Sequence, residues 1–235
     1  MYKRLDLLYK MIPCNGHGVI DVGTDHGQIP IRLAESGYKG RILASDVAAG
    51  PLKTARVAAR CAGMENRIQF LLCDGLDLCP REEVSDILIA GMGGDTICGI
   101  LDRAEWLFSG QYRLILQPMA KPGVVRYWLI HNEFSIELEA VAREEQHVYQ
   151  MFRAVPGHSK SMSDAEYLIG SGSVPRRGDK ISFVIDQQLR TITKKLNGYP
   201  TQKAAESPEY AFYLNMKREL EVMKASIQSK ESGNG

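Results

Sequence analysis

Long apolar runs are missing from this sequence of 235 residues. The longest of them, such as residues 86–92, fall far short of the roughly 18 residues that a membrane span requires. The N-terminal segment MYKRLDLLYKMIP carries charges among its apolar residues and lacks the continuous apolar block of a secretory signal. We therefore expect a cytoplasmic protein without a membrane partner.

Cysteine and histidine are also sparse, and neither is spaced as metal ligands are. The cysteines are Cys14, Cys61, Cys73, Cys79 and Cys98. None of them forms a CxxC pair, and their odd number fits reduced thiols better than a disulfide framework. The serines, cysteines and histidines also lack the local signatures of a nucleophile elbow or a cysteine protease. No metal site is predicted, and a hydrolase is disfavoured.

Neither sign of charge is in excess. With 44% hydrophobic and 24% charged residues, the composition excludes collagen-like and wholly disordered chains. The net charge is +1, but residues 156–235 hold 12 basic and 9 acidic side chains, whereas residues 1–155 hold 17 and 19. A basic surface for an acidic partner is therefore permitted in the C-terminal part, although the charge does not demand one.

What is present is a regular alternation of short apolar runs and helical patterns. The runs predict strands at residues 19–22, 42–44, 68–72, 87–90 and 114–116, after a short N-terminal helix. Apolar residues at three- and four-residue steps predict helices at residues 29–36, 51–62 and 96–107. This order indicates an α/β fold with a parallel sheet and helices on both faces.

The pattern changes after Gln117. Residues 134–142 and 147–155 resemble two strands of an antiparallel edge hairpin, and residues 170–178 are typical of a loop. Two helical stretches follow, the first over residues 181–196, with a turn at residues 197–208. We therefore predict two domains, an α/β domain over residues 1–155 and a helical hairpin over residues 156–235.

The segment DVGTDHG is the most informative, because it follows the first predicted strand and opens a helix. Gly23 and Gly27 stand without the third glycine of a dinucleotide fingerprint, and Asp25 lies between them. A carboxylate suits a ligand with an ammonium or sulfonium cation better than a pyrophosphate, which favours S-adenosylmethionine. Taken alone, the two glycines could equally make a tight strand-to-helix turn.

Acidic and glycine residues also follow the other strands. Asp46 lies where nucleotide-binding folds hold ribose hydroxyls, and Asp74 with Gly75 could accept a hydrogen bond from an adenine amino group. Each aspartate alone could instead cap a helix. The glycine-rich turn at residues 90–95 exposes backbone at the same sheet edge, and Gln117 could read the edge of a base.

The combination of these motifs resembles one family. GTDHGQIPIRLAESG, ASDVAAGPLKTA, CDGL, ILIAGMGGDTI and LILQPM with VVRYWL are, in this order, similar to the bacterial TrmK family of tRNA (adenine-22-N1)-methyltransferases. The similarity covers residues 1 to about 155. It implies a Rossmann-like class I methyltransferase sheet, S-adenosylmethionine as the cofactor and tRNA as the partner. The C-terminal helical hairpin resembles the coiled-coil domain of that family in position.

The resemblance also implies site residues. The positions that match the cofactor site of the family are Gly23, Thr24, Asp25, His26, Gly27, Asp46, Val47, Asp74, Gly75, Gly91, Met92 and Gly93. Gln117 and Pro118 would close the pocket toward the substrate. Two features depart from the family pattern: Met119 stands where many members have asparagine, and a longer Gly- and Ser-rich insert precedes the helix at residues 187–196. These departures leave the predicted cofactor site intact and bear mainly on how the substrate is recognised.

A reaction at adenine N1 needs no prior deprotonation, because the ring lone pair can attack the sulfonium methyl directly. Catalysis is then mainly positioning and charge stabilisation. We hypothesise that Asp25 supports the charge that moves onto the base and that His26 orients Asp25 or the base.

The hairpin supplies positive charge for the backbone of a tRNA, although an ordinary solvated helix surface would look the same. The candidate contacts are Lys194, Lys195, Lys203, Lys217, Arg218 and Lys224. Two alternatives stay open: a methyltransferase for another RNA site, a protein or a small molecule, and a non-catalytic protein that senses nucleotides or binds RNA. A monomer is expected.

Overall fold

A mixed eight-stranded sheet forms the centre of the protein in a computed structural model that describes residues 3–178, 180–199 and 207–232. The strands are β1 (Val19–Val22), β2 (Ile42–Asp46), β3 (Ile68–Leu72), β4 (Asp86–Gly93), β5 (Arg113–Ala120), β6 (Phe134–Glu144), β7 (His147–Pro156) and β8 (Arg176–Gly178). Their order is β3-β2-β1-β4-β5-β7-β6-β8. Strands β1 to β5 are parallel, β7 is antiparallel to both β5 and β6, and β8 is parallel to β6.

The helices cover both faces of this sheet, and the last two of them follow it at the C-terminal end of the chain. They are α1 (Arg4–Met11), α2 (Gln28–Glu35), α3 (Ala49–Cys61), α4 (Gly94–Arg103), α5 (Pro122–His131), α6 (Asp164–Ile169), α7 (Ile181–Asn197) and α8 (Pro208–Ser232). Ile20 faces a core that includes α4 and α5, whereas its neighbour Val19 faces a core that includes α1 and α2. Because successive side chains of a strand alternate between faces, β1 is buried on both sides. In the described part of the chain, no helix is long and apolar enough to cross a membrane.

The five predicted parallel strands and the antiparallel pair that follows them are confirmed. Two of the strands run longer than the apolar pattern indicated. Met92 pairs with Pro118 and Gly93 with Ala120 beyond a register shift, so β4 and β5 continue into their loops. Helix α4 is shorter than predicted, because Ala104 leaves the helical conformation and a 3₁₀ turn follows at Glu105–Ser109.

The prediction of a loop over residues 170–178 was wrong at its end. Arg176–Gly178 form β8, which pairs with β6 at the sheet edge, and α6 precedes it. A strand of three residues is too short to show an alternating pattern, and its pairing depends on the distant residues 139–141.

Helices α7 and α8 form the predicted antiparallel pair. Lys224 of α8 contacts Asp186 early in α7, while Tyr213 of α8 contacts Lys195 late in α7, so the two helices run in opposite directions. The pair shares a third core, which also includes Val141 of β6. Most of the turn predicted between the helices, including Lys203, lies outside the described residues.

A buried polar network joins α6 and β8 to the sheet. Arg126 of α5 donates from Nε to Glu139 Oε1 at 2.8 Å and from Nη2 to Gln150 Oε1 at 2.7 Å. Its Nη1 donates to the carbonyl oxygen of Tyr167 at 2.9 Å. Arg176 of β8 pairs with the other oxygen of Glu139. The network therefore fixes the segment that leads into α7 against β6 and β7.

Candidate active site

A cleft of about 520 Å³ opens at the carboxyl ends of the parallel strands. Eight of the residues predicted to bind the cofactor line it, namely Gly23, Asp25, Asp46, Val47, Asp74, Gly75, Gly91 and Met92. Thr24 and His26 line an adjoining cavity of about 170 Å³, which shares Gly23, Asp25 and Gly91 with the cleft. In open α/β sheets the ligand crevice lies at this edge.

The turn between β1 and α2 brings backbone to the mouth of the cleft. Gly23 has φ +70°, and a Cβ added there would lie 2.1 Å from Cε of Met92. Gly27 also has a positive φ and stands at the N-cap of α2, where an added Cβ would lie 3.1 Å from that of Ala55. Asp25 lies between them in the left-handed region at φ +49°, which aspartate tolerates better than most residues. The positive φ therefore favours glycine at both positions, and the fixed Cβ of Ala55 adds a steric reason at Gly27, whereas the flexible Met92 side chain could move away from Gly23.

Asp46 is held at the end of β2 by two backbone groups. Its Oδ1 accepts a hydrogen bond from the amide of Ala48 at 2.9 Å, and its Oδ2 accepts one from the amide of Asp25 at 3.4 Å. The carboxylate therefore both stabilises the start of α3 and fixes the turn that carries Asp25. Its further acceptor capacity can hold ribose hydroxyls at the cleft.

Asp74 is more exposed than Asp46 and already has a charged partner. Arg103 of α4 donates to Asp74 Oδ1 at 2.9 Å, and its Nε lies 3.7 Å from Asp77. Gly75 has φ +54° and packs against Ile100 of the same helix. An adenine amino group at this end of the cleft would share the Asp74 carboxylate with Arg103.

The side chain of Gln117 is fully buried, and its carboxamide oxygen already has two partners within the protein. Its Oε1 accepts hydrogen bonds from Nη1 of Arg4 at 2.6 Å and from the amide of Gly91 at 3.2 Å. Through the hydrogen bond from the amide of Gly91, Gln117 therefore stabilises the turn at this glycine, which has φ +80°. Its predicted contact with substrate, like that of Pro118, stays a prediction.

Arg4 and Asp21 belong to the site although neither was singled out from the sequence. Both line the smaller cavity beside Thr24 and His26. Asp21 lies within the DVGTDHG motif, so its place at the end of a buried strand was a usable signal. Arg4 gave no such signal, because only the fold brings α1 to the ends of β4 and β5.

Burial raises the pKa of Asp21 to about 6, with the nearby Asp46 carboxylate adding to the rise and the hydrogen bond from Thr24 opposing it. Thr24 Oγ1 donates to Asp21 Oδ2 at 2.7 Å. A carboxylate that is costly to ionise would be stabilised by a cationic ligand.

The Asp21→Asn variant is expected to be more stable than the parent at neutral pH, by about 2–3 kcal/mol. The folded pKa lies above that of an unfolded aspartate, so ionisation opposes folding, and this penalty grows as the pH rises from about 4 to about 6. The asparagine keeps an acceptor for Thr24. Urea unfolding at pH 4 and pH 7.5 measures the difference, with the exposed Asp77→Asn as control. An equal difference at both pH values would contradict the prediction.

Asp25 and His26 lie side by side at the cleft mouth. His26 Nε2 lies 3.4 Å from Asp25 Oδ2, and both side chains are mostly exposed. The distance allows the imidazole to orient the carboxylate, as the hypothesis for His26 requires. Gly93, the last predicted cofactor residue, is the N-cap of α4 and lines neither cavity.

The basic residues predicted to bind substrate lie on the helical pair. Lys194 and Arg218 are exposed, Lys195 donates to the hydroxyl of Tyr213 at 2.6 Å, and Lys217 lies 3.6 Å from Glu221. Arg190, Lys194 and Lys224 line one groove between α7 and α8. Within the described residues, no group of His, Cys, Asp and Glu side chains is arranged to hold a metal ion.

The strand order and the glycine-lined, acid-rich cleft define a Rossmann-like methyltransferase, and a family model described as a methyltransferase domain matches residues 1–152. The tRNA (adenine(22)-N(1))-methyltransferase of Bacillus subtilis is 30% identical over 162 residues, which cover 69% of this chain and 68% of that protein. The chain belongs to the family of the tRNA (adenine-22-N1)-methyltransferases.

Solved structures extend the similarity to almost the whole chain. The crystal structure of Streptococcus pneumoniae Sp1610, assigned as a tRNA (m1A22) methyltransferase, superposes with a TM-score of 0.82 at 26% identity and covers 95% of this chain and 99% of its own. The structure of Sp1610 in complex with S-adenosyl-L-methionine has a TM-score of 0.75 at 25% identity, with the same coverage. The similarity therefore includes the C-terminal helices, which the family model does not reach.

Proposed function

We propose that this protein transfers a methyl group from S-adenosylmethionine to N1 of adenine 22 in tRNA. The observation that carries the proposal is the cleft at the carboxyl ends of the parallel strands, where two glycine turns and the carboxylates of Asp25, Asp46 and Asp74 converge. Carboxylates suit the ammonium and sulfonium charges of the cofactor and disfavour a pyrophosphate.

The residues of the cleft can be assigned to parts of the cofactor. Asp46 would hold the ribose hydroxyls, Asp74 the adenine amino group, and the turn at Gly23 the amino acid portion beside Asp21. S-adenosylmethionine supplies an electrophilic methyl group, which the lone pair of adenine N1 accepts as the carbon–sulfur bond breaks, leaving S-adenosylhomocysteine and a positive charge on the base.

The chain itself then has to position the base and stabilise that charge. Asp25, largely exposed and beside the cleft, can face the methylated ring, while His26 at 3.4 Å holds the carboxylate in place. No proton has to leave N1 before transfer, so the site needs no general base. Positioning of the base against the methyl group supplies most of the remaining rate enhancement.

The helical pair α7–α8 is proposed to hold the tRNA through its phosphates. Three of its cations, Arg190, Lys194 and Lys224, line one groove, and tRNA helices are recognised mostly through backbone charge and shape. The protein would work as a monomer, and a tRNA substrate implies a location in the cytoplasm.

Neutralising the predicted contacts, by replacing Lys194, Lys195, Lys217 and Arg218 with glutamine, is expected to weaken tRNA binding about tenfold at moderate salt. The slope of log affinity against log salt should fall by about 2–3, because fewer counterions are released. The affinity for S-adenosylmethionine should stay unchanged. Filter binding at several salt concentrations measures both effects, and an unchanged slope would rule out these residues as phosphate contacts.

The reaction is tested by transfer of labelled methyl from S-adenosylmethionine to unmethylated tRNA, with a tRNA carrying guanine at position 22 as control. Label in the first tRNA and none in the second would establish both the reaction and its site. Equal label in both would show that the methylated position lies elsewhere in the tRNA. Cofactor binding without transfer to any tRNA would refute the proposal and favour a protein or small-molecule substrate.

A further inference from the structure

A second cavity, of about 280 Å³, lies between the end of β5 and helix α7. It is lined by Pro118 and Met119 at the end of β5, which we call its floor, by Leu168 of α6, and by Gln187 and Gln188 of α7, which we call its α7 wall. Its walls thus come from both the methyltransferase part and the helical pair. Neither the family match nor the cofactor site accounts for the α7 wall.

The cavity is built on fixed elements. Gln150 lines it, but both polar atoms of its carboxamide are taken: Oε1 by Arg126 at 2.7 Å and Nε2 by the carbonyl oxygen of Leu168 at 3.2 Å. Arg126 also bonds the carbonyl oxygen of Tyr167. The buried network therefore holds α6 and β7 in place around the cavity before any ligand arrives.

Gln187 and Gln188 differ from Gln150 in having unused hydrogen-bonding groups. Both side chains are half-buried, and among the described residues the structure gives neither carboxamide a hydrogen-bond partner. A carboxamide offers two donors and an acceptor, which is the combination that pairs with the edge of a nucleobase. The apolar floor of Pro118 and Met119 gives a flat ring something to lie on.

The cavity and the cofactor cleft are separate spaces that lie close to each other. Lys121 lines the cavity in a left-handed conformation, at φ +54°, and its ammonium pairs with Asp95 in the first turn of α4. Among the described residues, none lines both spaces. Met92 of the cofactor cleft nevertheless pairs with Pro118 of the cavity floor, so the two spaces are only about one strand spacing, or roughly 5 Å, apart.

We propose that this cavity binds the nucleotide that flanks the methylated adenine in the tRNA, with Gln187 and Gln188 bonding the edge of its base and Lys121 facing its phosphate. The base that receives the methyl group must enter the cofactor cleft, so a base in the neighbouring, separate cavity is a different nucleotide. This inference rests on the proposed tRNA substrate. It makes α7 a positioning element of the active site as well as a surface for phosphates.

The test compares the parent enzyme with the double variant Gln187→Ala, Gln188→Ala in steady-state tRNA methylation. We expect KM for tRNA to rise about tenfold, since each lost hydrogen bond is worth several-fold in affinity, while KM for S-adenosylmethionine and kcat change little. Alanine favours the helix, so α7 should stay folded, and a thermal melt checks this. Gln111→Ala, an exposed glutamine just before the amino end of β5 and so at the other end of the strand that forms the cavity floor, is the matched control.

A substrate series then identifies the nucleotide. Each nucleotide beside adenine 22 is made abasic in turn, and KM is measured with the parent and with the double variant. At the position that the cavity holds, the lost base should raise KM for the parent but add little for the variant, because the interaction is already gone. Equal losses for both enzymes at both positions, or a KM of the variant equal to that of Gln111→Ala, would overturn the proposal. If the parent methylates no tRNA, the proposed function fails as well. If the parent is active and the variant is unaffected, only the proposed role of the cavity is refuted.

Discussion

Replacing Glu139 by glutamine is expected to lower the free energy of unfolding by about 3–5 kcal/mol. Glu139 is 1% exposed, and its carboxylate faces two guanidinium groups, those of Arg126 and Arg176. Arg126 is itself 1% exposed, and burial lowers its pKa while the charge of Glu139 opposes that effect. With glutamine at this position, Arg126 would have no counter-ion in the core. One carboxylate oxygen of Glu139 would be replaced by an NH₂ group, which is a donor and would face the N–H donors of a guanidinium group.

The measurement is urea unfolding at neutral pH, with Glu82→Gln as the matched control. Glu82 forms a loose, exposed ion pair with Arg81 at 3.9 Å, so its loss should change the free energy by less than about 1 kcal/mol. Arg126→Met in the Glu139→Gln background removes the unpaired charge but also the hydrogen bonds to Gln150 and Tyr167, so its effect should differ from that of Arg126→Met in the parent. A loss for Glu139→Gln as small as that of the control would show that the network does not hold β6, α6 and β8 together.

The cofactor cleft was the part of the site that the sequence could predict. Parallel strands bring their carboxyl ends to one edge, so any glycine or aspartate that follows such a strand arrives at the same crevice. Gly23 and Asp74 follow a strand and Asp46 ends one, and the short apolar runs located those strands. Only the order of the strands in space had to be supplied by the fold.

The residues that were missed or changed place depend on contacts between distant parts of the chain. Gln117 lies near the carboxyl end of β5, but Arg4 of α1, more than a hundred residues earlier, donates a hydrogen bond to its carboxamide oxygen. The short strand β8 exists because β6 offers it an edge and Glu139 offers a partner to Arg176. Periodicity within one segment carries no information about such pairings, because they are decided by which surfaces meet in three dimensions.

Replacing Asp46 by alanine is expected to weaken the binding of S-adenosylmethionine by about a hundredfold or more. Two ribose hydroxyls donating to one carboxylate would form charge-assisted hydrogen bonds, each worth about 1.5–3 kcal/mol. A combined loss of about 3 kcal/mol corresponds to roughly a hundredfold in Kd. The substitution also removes the acceptor for the amide of Asp25, at 3.4 Å, so the turn that carries Asp25 loses a support.

Isothermal titration with S-adenosylmethionine and with S-adenosylhomocysteine measures this loss, and comparing the two ligands separates its causes. Both ligands carry the ribose, so a ribose contact predicts the same loss for each, whereas an electrostatic role toward the sulfonium predicts a loss for S-adenosylmethionine alone. Asp46→Asn keeps one acceptor and should fall between the parent and Asp46→Ala. The control Glu82→Ala removes an exposed carboxylate that pairs with Arg81 and does not line the cleft, and it should leave both affinities unchanged. Because Asp74 shares its carboxylate with Arg103, Asp74→Ala should weaken binding less than Asp46→Ala. A larger loss for Asp74→Ala would make the adenine end of the cleft, and not its ribose contact, the main source of affinity.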